Sequence, residues 1–271
     1  MPIVLPTKPL AATRINPRIM LIYSIPKVGK TEALTKLDSC LILDSEKGAD
    51  TRASLRVPIR AVEGPTIYKK DEKGKDTDEV VSSTLDEVYN SIIAEAARQK
   101  AAGEPLRFPY RRIAMDTLDL IEDMCEVTAT RIYKDSIIGR KFEGKSVLDL
   151  PNGGGYYHLR NTVIDQINRF AGVCETLILV CHVKEKMLNK GGIEVATNDL
   201  SLTGKIGGIV ASKCDVIGFM YREQNGQLMI NFKTLDAVMG ARFPHLAGKM
   251  MPFDWDVIFR TPEQVAAEES K

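Results

Sequence analysis

The chain has 271 residues, with 37 lysines and arginines against 36 aspartates and glutamates, for a formal charge of +1. Its 44% hydrophobic and 27% charged residues exclude a disordered chain, and the near-zero charge excludes bulk electrostatic coating of nucleic acid while leaving room for a local basic patch. No run of about 18 apolar residues exists to cross a membrane. Residues 1–16 lack the apolar core of a signal peptide. The five cysteines (Cys40, Cys125, Cys174, Cys181, Cys214) form no CxxC pair and read as buried, reduced thiols of a cytoplasmic protein. The three histidines are scattered, which argues against a zinc site.

Residues 1–17 carry Pro2, Pro6, Pro9 and Pro17, so they read as an extended arm. From residue 18 onward, nearly continuous apolar runs alternate with helical patterns. Residues 18–23, 40–44, 112–116 and 176–182 are the runs, as expected for strands buried on both faces. Leu85, Val88, Tyr89, Ile92, Ile93, Ala96 and Ala97 give a helix that Thr84 opens in a capping-box pattern and Gly103 stops. Leu118, Ile121, Met124, Cys125 and Thr128 give a second helix. Tyr156, Leu159, Val163, Ile167 and Phe170 give a third. This order predicts βαβ units and a mostly parallel sheet flanked by helices. Residues 215–221 and 227–232, joined through Asn225-Gly226, predict a C-terminal antiparallel hairpin. Residues 69–79, 139–155 and 184–208 read as exposed loops, and residues 261–271 as a polar tail. The domain reading is one α/β domain over residues 18–260.

Ser24-Ile25-Pro26-Lys27-Val28-Gly29-Lys30-Thr31 follows the first strand and opens a helical stretch. It matches GxxxxGK[ST] except that Ser24 replaces the first Gly. In such a loop, backbone N–H groups face a phosphate chain. Gly29 permits close approach, Lys30 reaches the β/γ-phosphates and Thr31 offers a hydroxyl to Mg²⁺. Asp116, at the end of the third run, is the expected Mg²⁺ carboxylate. Asp44 and Glu46 follow the second strand on the same expected edge, and Glu46 is the candidate to position the attacking water. His182 ends the fourth run there, placed to sense the γ-phosphate.

These residues resemble the RecA-like ATPase core. More closely, Leu-Asp-Ser-Glu-Lys-Gly at 43–48, Asp-Thr-Leu-Asp at 116–119 and Cys-His-Val-Lys-Glu-Lys at 181–186 resemble the phage nucleotide-binding AAA-domain proteins of the Sak type, small RecA/Rad-like recombinases. The resemblance spans about residues 18–243. It implies a RecA-like P-loop NTPase core that uses ATP and Mg²⁺, with Glu46 as catalytic glutamate, Asp50 as an acid near the adenine and Asp116 as the Walker B aspartate. Histidine at 182 departs from the glutamine or amide of that family. Residues 139–155 and 184–208 stand where RecA has its two DNA-binding loops. In the RecA arrangement a homo-oligomer or filament binds nucleotide between subunits, and Arg222 or Lys233 is the candidate for a basic residue acting in trans.

The function so implied is an ATP-hydrolysing, single-stranded DNA-binding protein of phage recombination or strand annealing. It would work in the host cytoplasm, with a single-strand binding protein as a further partner. Lys184, Lys186, Lys190, Lys205 and Lys213 supply the basic patch, and Tyr156 and Tyr157 the stacking rings. The alternative is a P-loop switch or assembly ATPase that acts on a protein partner without touching DNA. A P-loop metabolite kinase fits less well, because the loops are rich in Lys and Gly and poor in the Arg of a phosphate lid.

Overall fold

The computed structural model describes residues 8, 13–60, 67–70, 76–81, 84–104, 108–190, 193–233 and 239–269. Of residues 67–70, 76–81, 186–190, 193–196, 268 and 269 it describes the backbone. The chain runs β1 (Ile19–Ser24), α1 (Lys30–Thr35), β2 (Cys40–Asp44), β3 (Arg56–Pro58), β4 (Ile67–Lys70), β5 (Asp76–Val81), α2 (Thr84–Ala101), β6 (Arg112–Asp116), α3 (Leu118–Asp135) and α4 (Gly155–Gly172). It continues through β7 (Thr176–Lys190), β8 (Ile193–Leu200), α5 (Ile206–Lys213), β9 (Val216–Arg222), β10 (Leu228–Asn231), β11 (Gly240–Ala241), β12 (Met250–Pro252), α6 (Trp255–Ile258) and α7 (Pro262–Glu269).

The main sheet has ten strands in the order β12-β10-β9-β1-β7-β6-β2-β3, with β11 on β9 and β8 on β7. Every pairing from β9 across to β3 is parallel. Alternation along these strands serves two cores. Leu21, Tyr23, Leu43, Ile113, Met115, Leu177 and Leu179 face the side covered by α2, α3, α4 and α5. Met20, Ile22, Ile42, Ala114, Ile178 and Val180 face the side of α1, Trp255 and Ile258. Burial on both faces is why the runs lack polar alternation. The β9–β10 hairpin is antiparallel as expected, and Gly226 takes the left-handed conformation (φ 84°) its turn requires. The five cysteines are free and buried.

Four segments differ from the reading above. Residues 184–208 are no loop. β7 continues for 15 residues, leaves the parallel ladder at Ser24↔His182 and pairs antiparallel with β8 from Val183↔Leu200 to Lys190↔Ile193. Between the last pair the sequence has Gly191-Gly192, which lie outside the described residues. His182 therefore lies inside a long strand where one partner replaces another, and α5 takes up residues 206–213.

Residues 139–155 form three short 3-10 turns, not an open loop. Val147 is fully buried and its N–H donates to Thr130 Oγ1 at 2.8 Å. The charged stretch 69–79 overlaps the β4–β5 antiparallel pair, with residues 71–75 outside the described residues. The segment read as a polar tail folds as α7. Thr261 Oγ1 accepts from Gln264 N–H at 3.3 Å and Gln264 Oε1 accepts from Thr261 N–H at 2.8 Å, with Pro262 at the first helical position. Of the presumed arm, residues 1–7 and 9–12 lie outside the described residues. Asn16 exchanges two hydrogen bonds with the backbone of Arg260 on its own chain. The Thr84 hydroxyl accepts from Arg60 N–H at 2.9 Å.

α1 is only six residues long, too short to persist without packing. Trp255 supports it: the indole Nε1–H donates to Ala33 O at 2.8 Å and the ring stacks on Phe259 at 5.3 Å. Trp255→Ala is therefore expected to cost about 3–5 kcal/mol in urea unfolding. A loss under about 1 kcal/mol would show that α1 stands without this support.

Candidate functional site

Parallel pairing brings the ends of β1, β2 and β6, and the point where β7 leaves the ladder, to one edge. Ser24 lies beside His182, and Asp44 beside Asp116. The loop after β1 turns through two left-handed residues, Lys27 (φ 65°) and Gly29 (φ 119°). The positive φ at Gly29 selects glycine there, and a Cβ would also displace the tip of the Arg222 guanidinium, which it would meet at 2.9 Å. Ser24 is not among the left-handed residues. As the last residue of an extended strand it has no need of glycine's freedom, which explains the departure from the usual motif. Its hydroxyl accepts from Lys30 Nζ at 3.0 Å and donates to Ile25 O at 2.7 Å. Lys30 also donates to Ile25 O, at 3.3 Å. Burial lowers the Lys30 pKa, against the pull of Asp116, Glu46 and Asp119.

Thr31 and Asp116 meet across the intervening β7. Thr31 Oγ1 donates to Asp116 Oδ2 at 2.7 Å. Asp116 is 3% exposed, and its Oδ1 is buried without a partner. Desolvation raises the Asp116 pKa to about 6, against the Thr31 hydrogen bond, with the Glu46 and Asp44 charges pushing the same way as burial. A hydroxyl beside a dry carboxylate with an unused oxygen is a donor set that fits Mg²⁺, which takes one or two protein oxygens and keeps its other positions for water and phosphate. Thr31 and Asp116 are the residues that would hold it. The ion would supply charge neutralisation of phosphate oxygens.

The loop after β2 is built on Asp44. Its carboxylate accepts from the N–H groups of Glu46 (3.2 Å), Gly48 (3.1 Å) and Ala49 (3.0 Å). Ser45 ties this loop to the Asp116–Thr117 segment, donating to Asp116 O at 2.9 Å and accepting from Thr117 N–H at 2.8 Å. The peptide between Asp116 and Thr117 is cis. Glu46 is thereby held at the site edge, its Oε1 accepting from Thr117 Oγ1 at 3.3 Å. Asp50 is exposed in the 3-10 turn Gly48–Thr51, whose Gly48 lies close to Thr31.

Two further residues join the site: Asp119, to which sequence reasoning gave no role, and Arg222, to which it gave a different one. Asp119, in the first turn of α3, accepts from His182 Nδ1 at 2.8 Å and from the His182 backbone N–H at 3.4 Å. The neutral ring then carries its proton on Nδ1 and turns Nε2 toward Glu46 Oε1, 3.9 Å away, a gap suited to a bridging water. Spacing inside the motif Asp116-Thr-Leu-Asp119 is the signal: three residues on, a helix returns to the strand-end face. The second is Arg222. It was a candidate for a role in trans, but its Nε donates to Val28 O at 2.8 Å and its Nη1 to Gly226 O at 2.8 Å, so it braces the loop of its own chain. Lys233 sits after β10, where its N–H donates to Asn231 Oδ1.

The basic patch is divided. Lys184 Nζ donates to Leu202 O and Lys213 Nζ to Asn168 Oδ1, while the side chains of Lys186 and Lys190 lie outside the described residues. Lys205 lines a concavity of about 400 Å³ with Tyr156, Tyr157, Arg160 and Gly204.

The folded, metal-free protein binds a proton at Asp116 below about pH 6, whereas an unfolded chain does so near 3.8. The folded state thus holds more protons between those values, and stability falls as pH rises through that window. Asp116→Asn is expected to remove this slope and to stabilise the metal-free protein above pH 6 by on the order of 2 kcal/mol. Thermal unfolding from pH 4 to 8 in chelator checks it; a variant that melts lower than wild type at pH 7 would refute it.

Residues 16–240 match the model of the AAA_24 family, described as an AAA domain. No curated protein matches the chain. Among the described residues no helix is long and apolar enough to cross a membrane. The matched span takes in the P-loop, the Thr31–Asp116 pair, Glu46 and His182, and covers most of the chain: the protein belongs to this AAA-type family of P-loop ATPases.

Proposed function

We propose that the protein hydrolyses ATP with Mg²⁺ and couples hydrolysis to single-stranded DNA in recombination or strand annealing. The observation that carries the ATPase reading is the convergence of Lys30, Thr31, Asp116 and Glu46 on one sheet edge. Lys30 and the 25–31 backbone hold the phosphates. Thr31 and Asp116 hold the ion, and Glu46 orients the attacking water. Asp119 fixes the His182 ring so that Nε2 faces the same water.

The DNA reading rests on how His182 connects outward. His182 O accepts from Ser201 N–H at 2.9 Å. Two residues on, Thr203 N–H donates to both Glu122 oxygens at 3.0 and 3.1 Å. Gly204 and Lys205 then line the concavity with Tyr156 and Tyr157, whose rings are about half exposed. Exposed rings beside Arg160 and Lys205 suit stacked bases and their phosphates. A phosphate-dependent shift of His182 would move that wall. The nucleotide site is proposed to be completed by a neighbouring copy in a homo-oligomer, with Lys233 as the candidate, and a single-strand binding protein is a proposed partner.

Turnover of ATP with and without single-stranded DNA, at two salt concentrations, tests this. DNA is expected to raise turnover, and the effect to weaken with salt as counterions are released. Tyr156→Ala with Tyr157→Ala should abolish the stimulation and leave basal turnover. If DNA neither binds nor alters turnover, the protein is a P-loop switch acting on a protein partner. Within the site, Glu46→Gln should keep nucleotide binding and lose hydrolysis, and Lys30→Ala should lose binding. Asp119→Asn is expected to lower kcat by about tenfold with KM little changed, because it acts through His182; unchanged kcat removes its positioning role.

A further inference from the structure

The opposite edge of the sheet carries a second cleft, of about 290 Å³, lined among others by Arg14, Arg18, Arg111, Arg112, Glu175 and Phe259. It is far from the P-loop: β6 begins at Arg112 and ends at Asp116, so about 13 Å of strand separates the two edges. Strand order brings Arg18 and Arg112 to the same edge, and both line the cleft. Arg18 directly precedes β1, Arg112 opens β6, and β7 lies between, with Thr176 opposite Arg112 and Leu177 N–H bonded to Arg18 O.

The charges do not balance. Arg14 pairs with Asp215 at 3.0 Å, and Arg111 with Glu175 at 2.7 Å. Arg18 and Arg112 make no ion pair among the described residues. Arg18 donates to Ala171 O and Arg112 Nη1 to Asp38 O at 3.1 Å, both neutral carbonyls. Arg112 is 8% exposed, with its guanidinium over the Phe259 ring at 4.4 Å. A buried guanidinium without a direct ion-pair partner is costly; burial first and the Arg111 charge second lower the Arg112 pKa, against the pull of Cys40, Glu175 and Asp38. Two forked donors with a combined charge of +2 fit one dianionic phosphoryl group, which accepts paired N–H bonds.

We propose that this cleft binds a phosphate dianion, either as the free ion or as a phosphate monoester, at a site separate from the P-loop. The test is calorimetric titration of inorganic phosphate into the Lys30→Ala protein, in which the P-loop lysine is gone. Saturable binding is expected, weakened at least about tenfold by Arg112→Gln and by Arg18→Gln. Arg18 is only partly buried and its loss leaves the Arg112–Phe259 stack in place, so an unchanged melting temperature in Arg18→Gln separates lost binding from misfolding. A parallel titration with adenosine 5′-monophosphate distinguishes the sources. Tighter binding than phosphate assigns the ester, and equal or weaker binding the free ion. The proposal is overturned if phosphate gives no saturable heat, if both arginine variants bind as the parent does, or if adenosine alone binds as well as its monophosphate.

Discussion

A carboxylate held almost dry at the end of β6 sets the terms for the whole site. Asp116 receives one hydrogen bond, from Thr31, and keeps one oxygen unpaired in the interior. Such a group weakens the fold unless a cation arrives, and that cost holds an ion-binding geometry ready. The bond also joins two segments 85 residues apart in the chain, across a strand that belongs to neither. Parallel pairing makes this possible, because β1, β2 and β6 end, and β7 leaves the parallel ladder, on the same edge. The loops that follow them share one small volume.

Around that pair the chain spends its other polar groups on holding loops still. Asp44 gathers three backbone N–H groups and so fixes where Glu46 begins. Arg222 clamps the carbonyl of Val28, and Trp255 that of Ala33, from elements far along the chain. α3 reaches the other way. Asp119 and Glu122, three residues apart on one helical face, hold His182 and Thr203. One rigid helix thereby touches both the strand that leaves the nucleotide edge and the turn beside the exposed tyrosines. That continuity is the physical basis for linking the two in function.

Legibility in the sequence followed how local the cause was. β2 and β6 coincide with their apolar runs, and α2, α3 and α4 with their 3.6-residue patterns. The β9–β10 hairpin followed from Asn225-Gly226. Charges at Lys184, Glu185 and Lys186 hid the β7–β8 hairpin, because they interrupt the continuous apolar pattern by which the other strands are read. Thr261-Pro-Glu-Gln is likewise a helix-start pattern, and it does open α7.

The sequence by itself determined the α/β alternation, the P-loop pattern of residues 24–31 and the placement of Asp116 and Glu46 at or just after strand ends, because each depends on residues within one turn or strand of each other. Only the tertiary structure decided that Arg222 bonds to its own loop, that Asp119 meets His182, and that Arg18 and Arg112 line one cleft. Those facts depend on strand order and on which side chains meet across the sheet. Packing of the whole chain sets them, and no local pattern encodes it.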